Sequence, residues 1–264
     1  MRHIDLFSGI GGFALASQWC WGDKYINVGH SEVEEFPCRV YHKHFPTSKC
    51  LGDITKIQWQ EGQADLITGG FPCQPHSIAG KRKGSKDERD LWSECIRALC
   101  GVRPKYALFE NVPALLISDN GRFFNRVLAD LASIGYDAEW QIISACAVGA
   151  PHTRERLWII AYPKGITWKR ITVPYNSKSN SYQENLSKEW NNAGSLFGED
   201  YLRSILSKKT ARTSKSGICL VDDGIPETVV KLKSLGNAIV PQVALILLER
   251  IKQIESFKHK EKQQ

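Results

Sequence analysis

The stretch Asp5-Leu6-Phe7-Ser8-Gly9-Ile10-Gly11-Gly12-Phe13 decides the architecture. An apolar run over residues 3–7 predicts a buried strand, which enters a Ser/Gly-rich turn and then a helix over 12–19. Glycines let the backbone approach a ligand closely, and a helix N-terminus offers unpaired N–H groups. Such a loop suits a nucleotide-like ligand. Taken alone, it also fits a plain tight turn.

Outward from this loop, short apolar runs at 25–30, 65–68, 106–109, 137–145 and 156–161 predict strands. Helical patterns fall between them at 33–44, 89–101 and 122–133. Strand–helix alternation of this kind predicts an α/β fold with a mostly parallel sheet, whose ligands sit at the carboxyl ends of the strands. After Pro163 the composition shifts to Lys, Ser, Asn and Thr, with Trp168, Tyr175 and Trp190 scattered among them. Periodicity is weak there, as in a linker or a small irregular module; the aromatics and the apolar stretches at 196–197 and 201–206 favour the module. Order returns near Leu232, and 238–257 reads as one amphipathic helix. The expected organisation is a domain over 1–163, a small region over 164–228 and a C-terminal element over 229–264.

Hydrophobic residues make up 42% and charged residues 24%, which are ordinary globular values. No apolar run reaches the ~20 residues that span a membrane. The opening residues are too acidic, and their apolar run too short, for a signal peptide. A soluble cytoplasmic protein is expected. The net charge of +7 falls entirely after residue 160, where 17 Lys+Arg face 10 Asp+Glu; before it, 18 face 18. A basic C-terminal third suits a polyanionic partner, and a solvated surface accounts for it equally well. The eight cysteines form no CxxC pair, and no histidine pair lies at zinc-ligand spacing beside them. Neither a metal site nor a disulfide framework is expected, and most of the cysteines read as small buried hydrophobes.

Two acids follow successive strands. Glu32 stands after the second, where a carboxylate can accept from both hydroxyls of a ribose. Asp53 follows a third short extended segment, where it can accept from an adenine amino group. Each also suits a cap or a turn. The next strand ends in Gly69-Gly70-Phe71-Pro72-Cys73-Gln74-Pro75-His76-Ser77-Ile78-Ala79-Gly80. A cysteine fixed between prolines in a glycine-flanked loop suits a presented nucleophile, and it also fits a rigid loop with an inert thiol.

Residues 5–13, 70–80 with their Pro72-Cys73-Gln74 core, and Glu110-Asn111-Val112 closely resemble the first, fourth and sixth motifs of the DNA cytosine-5 methyltransferases. Pro151-His152-Thr153-Arg154-Glu155-Arg156 resembles their eighth motif, with His152-Thr153 where many members have Gln-Arg. Leu235-Gly236-Asn237-Ala238-Ile239-Val240-Pro241 resembles their tenth. The proportions, and Val221-Asp222-Asp223-Gly224-Ile225-Pro226, are similar to small phage or prophage members.

The resemblance implies a Rossmann-like sheet of the class I S-adenosylmethionine-dependent methyltransferases, with a small target-recognition module over 164–228. The C-terminal helix is expected to pack beside the first strand and complete the catalytic domain. The implied catalytic residues are Cys73, Glu110, Arg154 and Arg156. The implied donor-binding residues are Phe7, Ser8, Gly9, Gly11, Gly12, Glu32, Asp53, Ile54, Pro72, Asn237 and Ala238. The cofactor is S-adenosylmethionine, without a metal. The partner is double-stranded DNA, bound by a monomer, with a companion restriction endonuclease as a further implied partner.

The chemistry explains the residue types. Cytosine C5 is a poor nucleophile. Thiolate addition at C6 makes the ring an enamine, and an acid at N3 relieves the charge that develops. Glu110, placed directly after the strand over 106–109, suits that acid if burial raises its pKa. Arg154 and Arg156, two positions apart before a strand, face one way; the resemblance implies that they contact the cytosine O2 and the backbone and help activate the thiol, and contact with phosphate alone also fits them. The loop Ala79-Gly80-Lys81-Arg82-Lys83-Gly84-Ser85-Lys86 is expected to close over DNA as the base is extruded. A tRNA cytosine-5 methyltransferase and a catalytically silent DNA-binding regulator are the rival functions.

Overall fold

The computed structural model describes residues 1–72, 91–150, 152–165, 234 and 236–261. Two compact units divide the chain: one takes in residues 1–167 and 226–264, the other residues 168–225. The second unit lies outside the described residues, as does all but the first two residues of the region expected to read the target.

Among the described residues, the first unit carries a seven-stranded sheet. Its elements are β1 (Arg2–Leu6), α1 (Gly12–Trp21), β2 (Ile26–Ser31), α2 (Glu35–His44), β3 (Lys49–Cys50), β4 (Leu66–Gly69), α3 (Trp92–Val102), β5 (Tyr106–Asn111), α4 (Arg122–Ser133), β6 (Tyr136–Ser144), β7 (Glu155–Pro163) and α5 (Pro241–Glu261). The strand order is β3-β2-β1-β4-β5-β7-β6. The pairs from β3 to β5 are parallel, and β7 runs antiparallel to both β5 and β6. The α/β expectation holds.

Strands buried on both faces read as apolar runs, which is why β4 and β5 are buried at every residue. β6 is the edge strand, and it leaves Trp140 and Ile142 exposed. α4 buries Phe124, Val127 and Leu131, one stripe at helical spacing. α1 is the exception: it buries Phe13, Ala14, Ala16, Ser17 and Cys20 because it lies between the sheet and α5. The C-terminal helix therefore rests on α1 rather than directly beside the first strand. Tyr106 Oη donates to Glu255 Oε1 at 2.7 Å and ties α5 to the sheet.

Small residues make this contact close. A Cβ added to Gly12 would lie 2.6 Å from Ile239 Cγ1. Gly12→Ala is therefore expected to destabilise the fold by about 1–3 kcal/mol through overpacking. Denaturant unfolding checks this, and an unchanged midpoint would contradict it.

Several boundaries differ from the sequence reading. β5 extends through Asn111, so Glu110 sits within the strand rather than after it. Hydrogen bonding to β7 carries the strand on, with Glu110 opposite Trp158. Phe7 leaves β1 with φ 50° and belongs to the turn. Cys50, Cys100 and Cys146 are exposed, against the expectation that most cysteines are buried; Cys20 and Cys95 are buried. No described helix is long and apolar enough to cross a membrane.

Candidate active site

The strand order reverses between β1 and β4, since β1 leads to β2 and β3 on one side while β4 and β5 continue on the other. Loops leaving the carboxyl ends of these strands diverge there and open a crevice. A cleft of about 1030 Å³ occupies this position. Phe7, Ser8, Gly9 and Gly12 line it beyond β1, with Glu32 beyond β2 and Asp53 and Ile54 beyond β3. Gly70 and Pro72 line it beyond β4, Glu110 at the end of β5, and Arg154 and Arg156 beside β7. Asn237 and Ala238 complete the wall from the C-terminal segment. Gly11 is not among the lining residues. Its φ of +92° demands glycine, and a Cβ there would lie 3.0 Å from Phe45 and 3.1 Å from Tyr41. Cys73, the loop over 79–86, Pro151 and Leu235 lie outside the described residues.

The glycine loop is braced from the second strand. Glu32 Oε2 accepts from Gly9 N at 2.9 Å, and Oε1 accepts from Val33 N at 2.7 Å and Glu34 N at 2.9 Å. The carboxylate thus shapes two loops, and Oε2 keeps one further lone-pair site. Asp53 Oδ1 caps the next turn, accepting from Thr55 N at 3.0 Å and Thr55 Oγ1 at 2.8 Å, and those bonds hold its carboxyl below the usual range. Its position is set from α3, where Arg97 Nη1 and Nη2 donate to the Ile57 and Ile54 carbonyls at 2.6 and 2.5 Å.

Glu110 is 8% exposed. Burial pushes its pKa up, and the charges of Arg156 and Arg154 pull the other way. Arg156 Nε lies 2.9 Å from Glu110 Oε1, yet that oxygen has no aligned hydrogen-bond donor. The contact is an ion pair of poor hydrogen-bond geometry, so the carboxyl is not fully committed to its neighbour. Gly70 keeps space open beside it, since a Cβ there would come 3.4 Å from Glu110 Oε2.

Arg154 makes contacts that the sequence did not suggest. Its Nη1 donates to the Gly236 carbonyl at 2.7 Å and its Nη2 to the Ala238 carbonyl at 2.8 Å, partners 82 and 84 residues downstream. One guanidinium fork holds the C-terminal segment against the cleft. Arg154→Ala is expected to lower stability by about 2 kcal/mol, the scale of charge-assisted hydrogen bonds. Thermal unfolding tests this, and a wild-type melting point would contradict it.

Asn111 was also missed. Its Nδ2 donates to the Phe71 carbonyl at 2.9 Å, and its Oδ1 accepts from Val112 N at 2.8 Å. It therefore fixes the backbone immediately before Pro72 from the neighbouring strand. Its place directly after Glu110 was the only sequence signal. Phe71 itself packs against Trp92 and Phe109 at ring-centroid distances of 5.0 and 6.1 Å.

The arrangement unites a glycine-lined half with a half holding one buried carboxyl and two guanidinium groups. The chain is similar to several known proteins. A family model for C-5 cytosine-specific DNA methylase covers residues 1–221. The type II methyltransferase M.BsuFI of Bacillus subtilis is 34% identical over 232 residues, which are 87% of this chain and 53% of that protein. Among solved structures, a DNA modification methyltransferase encoded within an E. coli prophage gives a TM-score of 0.52 at 25% identity, over 62% of this chain and 47% of that one. A mutant of Spodoptera frugiperda DNMT2 also gives 0.52, at 26% identity over 64% and 51%. The chain thus spans about half the length of these relatives. By the match across residues 1–221, the chain belongs to the C-5 cytosine-specific DNA methylase family.

Proposed function

We propose that this protein methylates C5 of a cytosine extruded from duplex DNA, through a covalent bond from Cys73 to C6. The environment of Glu110 carries the reading: a buried carboxyl with raised pKa, in one cleft with the glycine loop and with Pro72, the residue before Cys73. A protonated carboxyl is what N3 of the ring requires when a thiolate adds at C6.

The cleft fits a donor and a base together. Its volume of about 1030 Å³ lies at the upper end for small-molecule sites. Ser8 lines it, and Ser8 Oγ is buried with no hydrogen-bond partner among the described residues, so it is a polar group still to be satisfied at the cleft wall. Phe7, Ser8, Gly9 and Gly12, with Glu32, Asp53 and Ile54, would hold S-adenosylmethionine, and Asn237 and Ala238 would close its far side. That donor supplies an electrophilic methyl group on a sulfonium.

The protein's own groups do the rest. Cys73 thiolate forms the bond to C6. Glu110 gives its proton to N3 and leaves C5 nucleophilic. Arg156, beside Glu110, stabilises the carboxylate once the proton has gone, and it contacts the base. Once C5 carries the methyl, a base, assigned here to solvent, removes the C5 proton, and β-elimination frees Cys73. Arg154 serves this site chiefly by holding the segment with Asn237 and Ala238. Residues 164–228 are the proposed target reader, the basic loop over 79–86 the proposed closing element, and a monomer the active form. A companion endonuclease is the corresponding reading of the type II relatives' names.

Glu32→Ala is expected to weaken S-adenosylmethionine binding on the order of tenfold or more, through loss of charge-assisted bonds. Calorimetry tests it, and an unchanged affinity would remove Glu32 from the donor site. Incubation of duplex oligonucleotides and of tRNA with labelled donor tests the function. Label is expected in the duplex pool; label in tRNA alone would transfer the activity to the RNA branch.

A further inference from the structure

His30, Cys38 and Cys50 take no part in the chemistry above. His30 lies near the end of β2, Cys38 in the first turn of α2, and Cys50 at the end of β3. The ligand atoms that the three offer all lie within 4.8 Å of one another. His30 is 1% exposed, and its ring stacks on Tyr41 at 3.8 Å.

The histidine tautomer follows from its neighbours. His30 Nδ1 lies 2.9 Å from Ser48 Oγ, and that hydroxyl donates its own proton to Asn27 Oδ1 at 2.8 Å. Ser48 therefore accepts from His30, Nδ1 carries the ring proton, and Nε2 presents a lone pair. Nε2 is buried and has no hydrogen-bond partner among the described residues. A bare buried acceptor is destabilising, and a bound cation would satisfy it. The Cys38 thiol is half-buried; it donates weakly to the Glu32 carbonyl at 3.6 Å and also lies against the Cys50 thiol.

We propose that His30 Nε2, Cys38 Sγ and Cys50 Sγ form a binding site for a thiophilic divalent cation, best matched by Zn²⁺. The donor set is soft and suits zinc over calcium or magnesium. Zinc–sulfur bonds of about 2.3 Å at tetrahedral angles place two sulfurs about 3.8 Å apart, within small side-chain shifts of the separations here. Two thiol protons leave to solvent as two Zn–S bonds form, and no electrons move. The dication, two thiolates and a neutral imidazole sum to zero charge, so no uncompensated charge is left in the partly buried site. Ser48 supplies the outer hydrogen bond that orients a zinc-binding histidine. The exposed side of Cys50 gives entry and leaves a fourth position for water. The ligands come from two strands and a helix at one edge of the sheet, so no short sequence spacing announces them.

The test uses the full chain, reduced and stripped with a chelator. Titration with Co²⁺ is expected to saturate at one equivalent and to show thiolate-to-metal charge-transfer absorption. Competition with Zn²⁺ then gives its affinity. C38S and C50S are each expected to abolish the charge-transfer band and to weaken Zn²⁺ by at least about 100-fold, beyond the loss typical of an outer-shell partner. C100S and C146S, both at exposed cysteines, keep wild-type binding. Because Cys50 is exposed, metal-free C50S is expected to melt with metal-free wild type, and only wild type gains stability from Zn²⁺. Absence of uptake, uptake that C38S and C50S leave unchanged, or a Cys38–Cys50 disulfide in place of a metal would overturn the proposal.

Discussion

The Cys73→Ala variant is expected to lose methyl transfer by on the order of 10⁴-fold or more while binding S-adenosylmethionine as well as wild type does. The size of the loss follows from the chemistry: without a covalent bond at C6, C5 remains a poor nucleophile, and deletion of a covalent nucleophile removes the whole pathway rather than one contact. The retained donor binding follows from geometry. The proposed donor half of the cleft is built on Phe7–Gly12, Glu32, Asp53 and Ile54, whose positions are set by Gly9, Thr55 and Arg97 contacts that do not involve residue 73. Single-turnover transfer of labelled methyl and donor calorimetry measure the two quantities separately. Loss of both together would mean that residue 73 belongs to the donor site, and loss of neither would remove it from the chemistry.

The Glu110→Gln variant is expected to retain the fold and to lose turnover by about 10²–10⁴-fold, the usual contribution of a positioned acid. An amide can still hydrogen-bond to N3 but cannot protonate it. The pH dependence has a definite sign. Burial raises the pKa of Glu110, so the protonated, active form persists above the ordinary carboxylate range, and activity falls as pH rises through the raised value. The same shift makes a stability statement. A carboxyl that titrates higher when folded favours folding below its unfolded pKa, and that contribution is lost as pH rises through the folded value. Glu110→Gln is expected to flatten the alkaline fall in single-turnover rate and to reduce the pH dependence of stability over the same window. A variant with the wild-type profile would place the proton on another group.

The fold was legible because of where its apolar residues fall. β4 and β5 are buried at every residue and read as mainly apolar runs, β1 alternates Ile4 and Leu6 with the buried His3 and Asp5, and the Gly-rich turn after β1 marks the point where the sheet opens. The donor half was legible for the same reason, since its residues follow strands in chain order. The limits of the reading are tertiary. Glu110 was placed after its strand because the pairing that prolongs β5 comes from β7, far along the chain. Arg154 looked like a ligand-contacting residue, and its partners are carbonyls 82 and 84 residues away. Gly12 looked like a cofactor glycine, and its bare face also admits Ile239. Asn111 and Arg97 act through backbone carbonyls that no motif names. His30, Cys38 and Cys50 meet only because β2, α2 and β3 share one edge.

The covalent step admits a direct measurement. Duplex DNA carrying 5-fluorocytosine at the target position, incubated with the full chain and S-adenosylmethionine, presents a ring from which the final elimination cannot occur. A donor-dependent, denaturant-resistant protein–DNA adduct whose digestion maps the linkage to Cys73 is the predicted result. An active enzyme that forms no adduct, or an adduct mapped to another cysteine, would contradict the account.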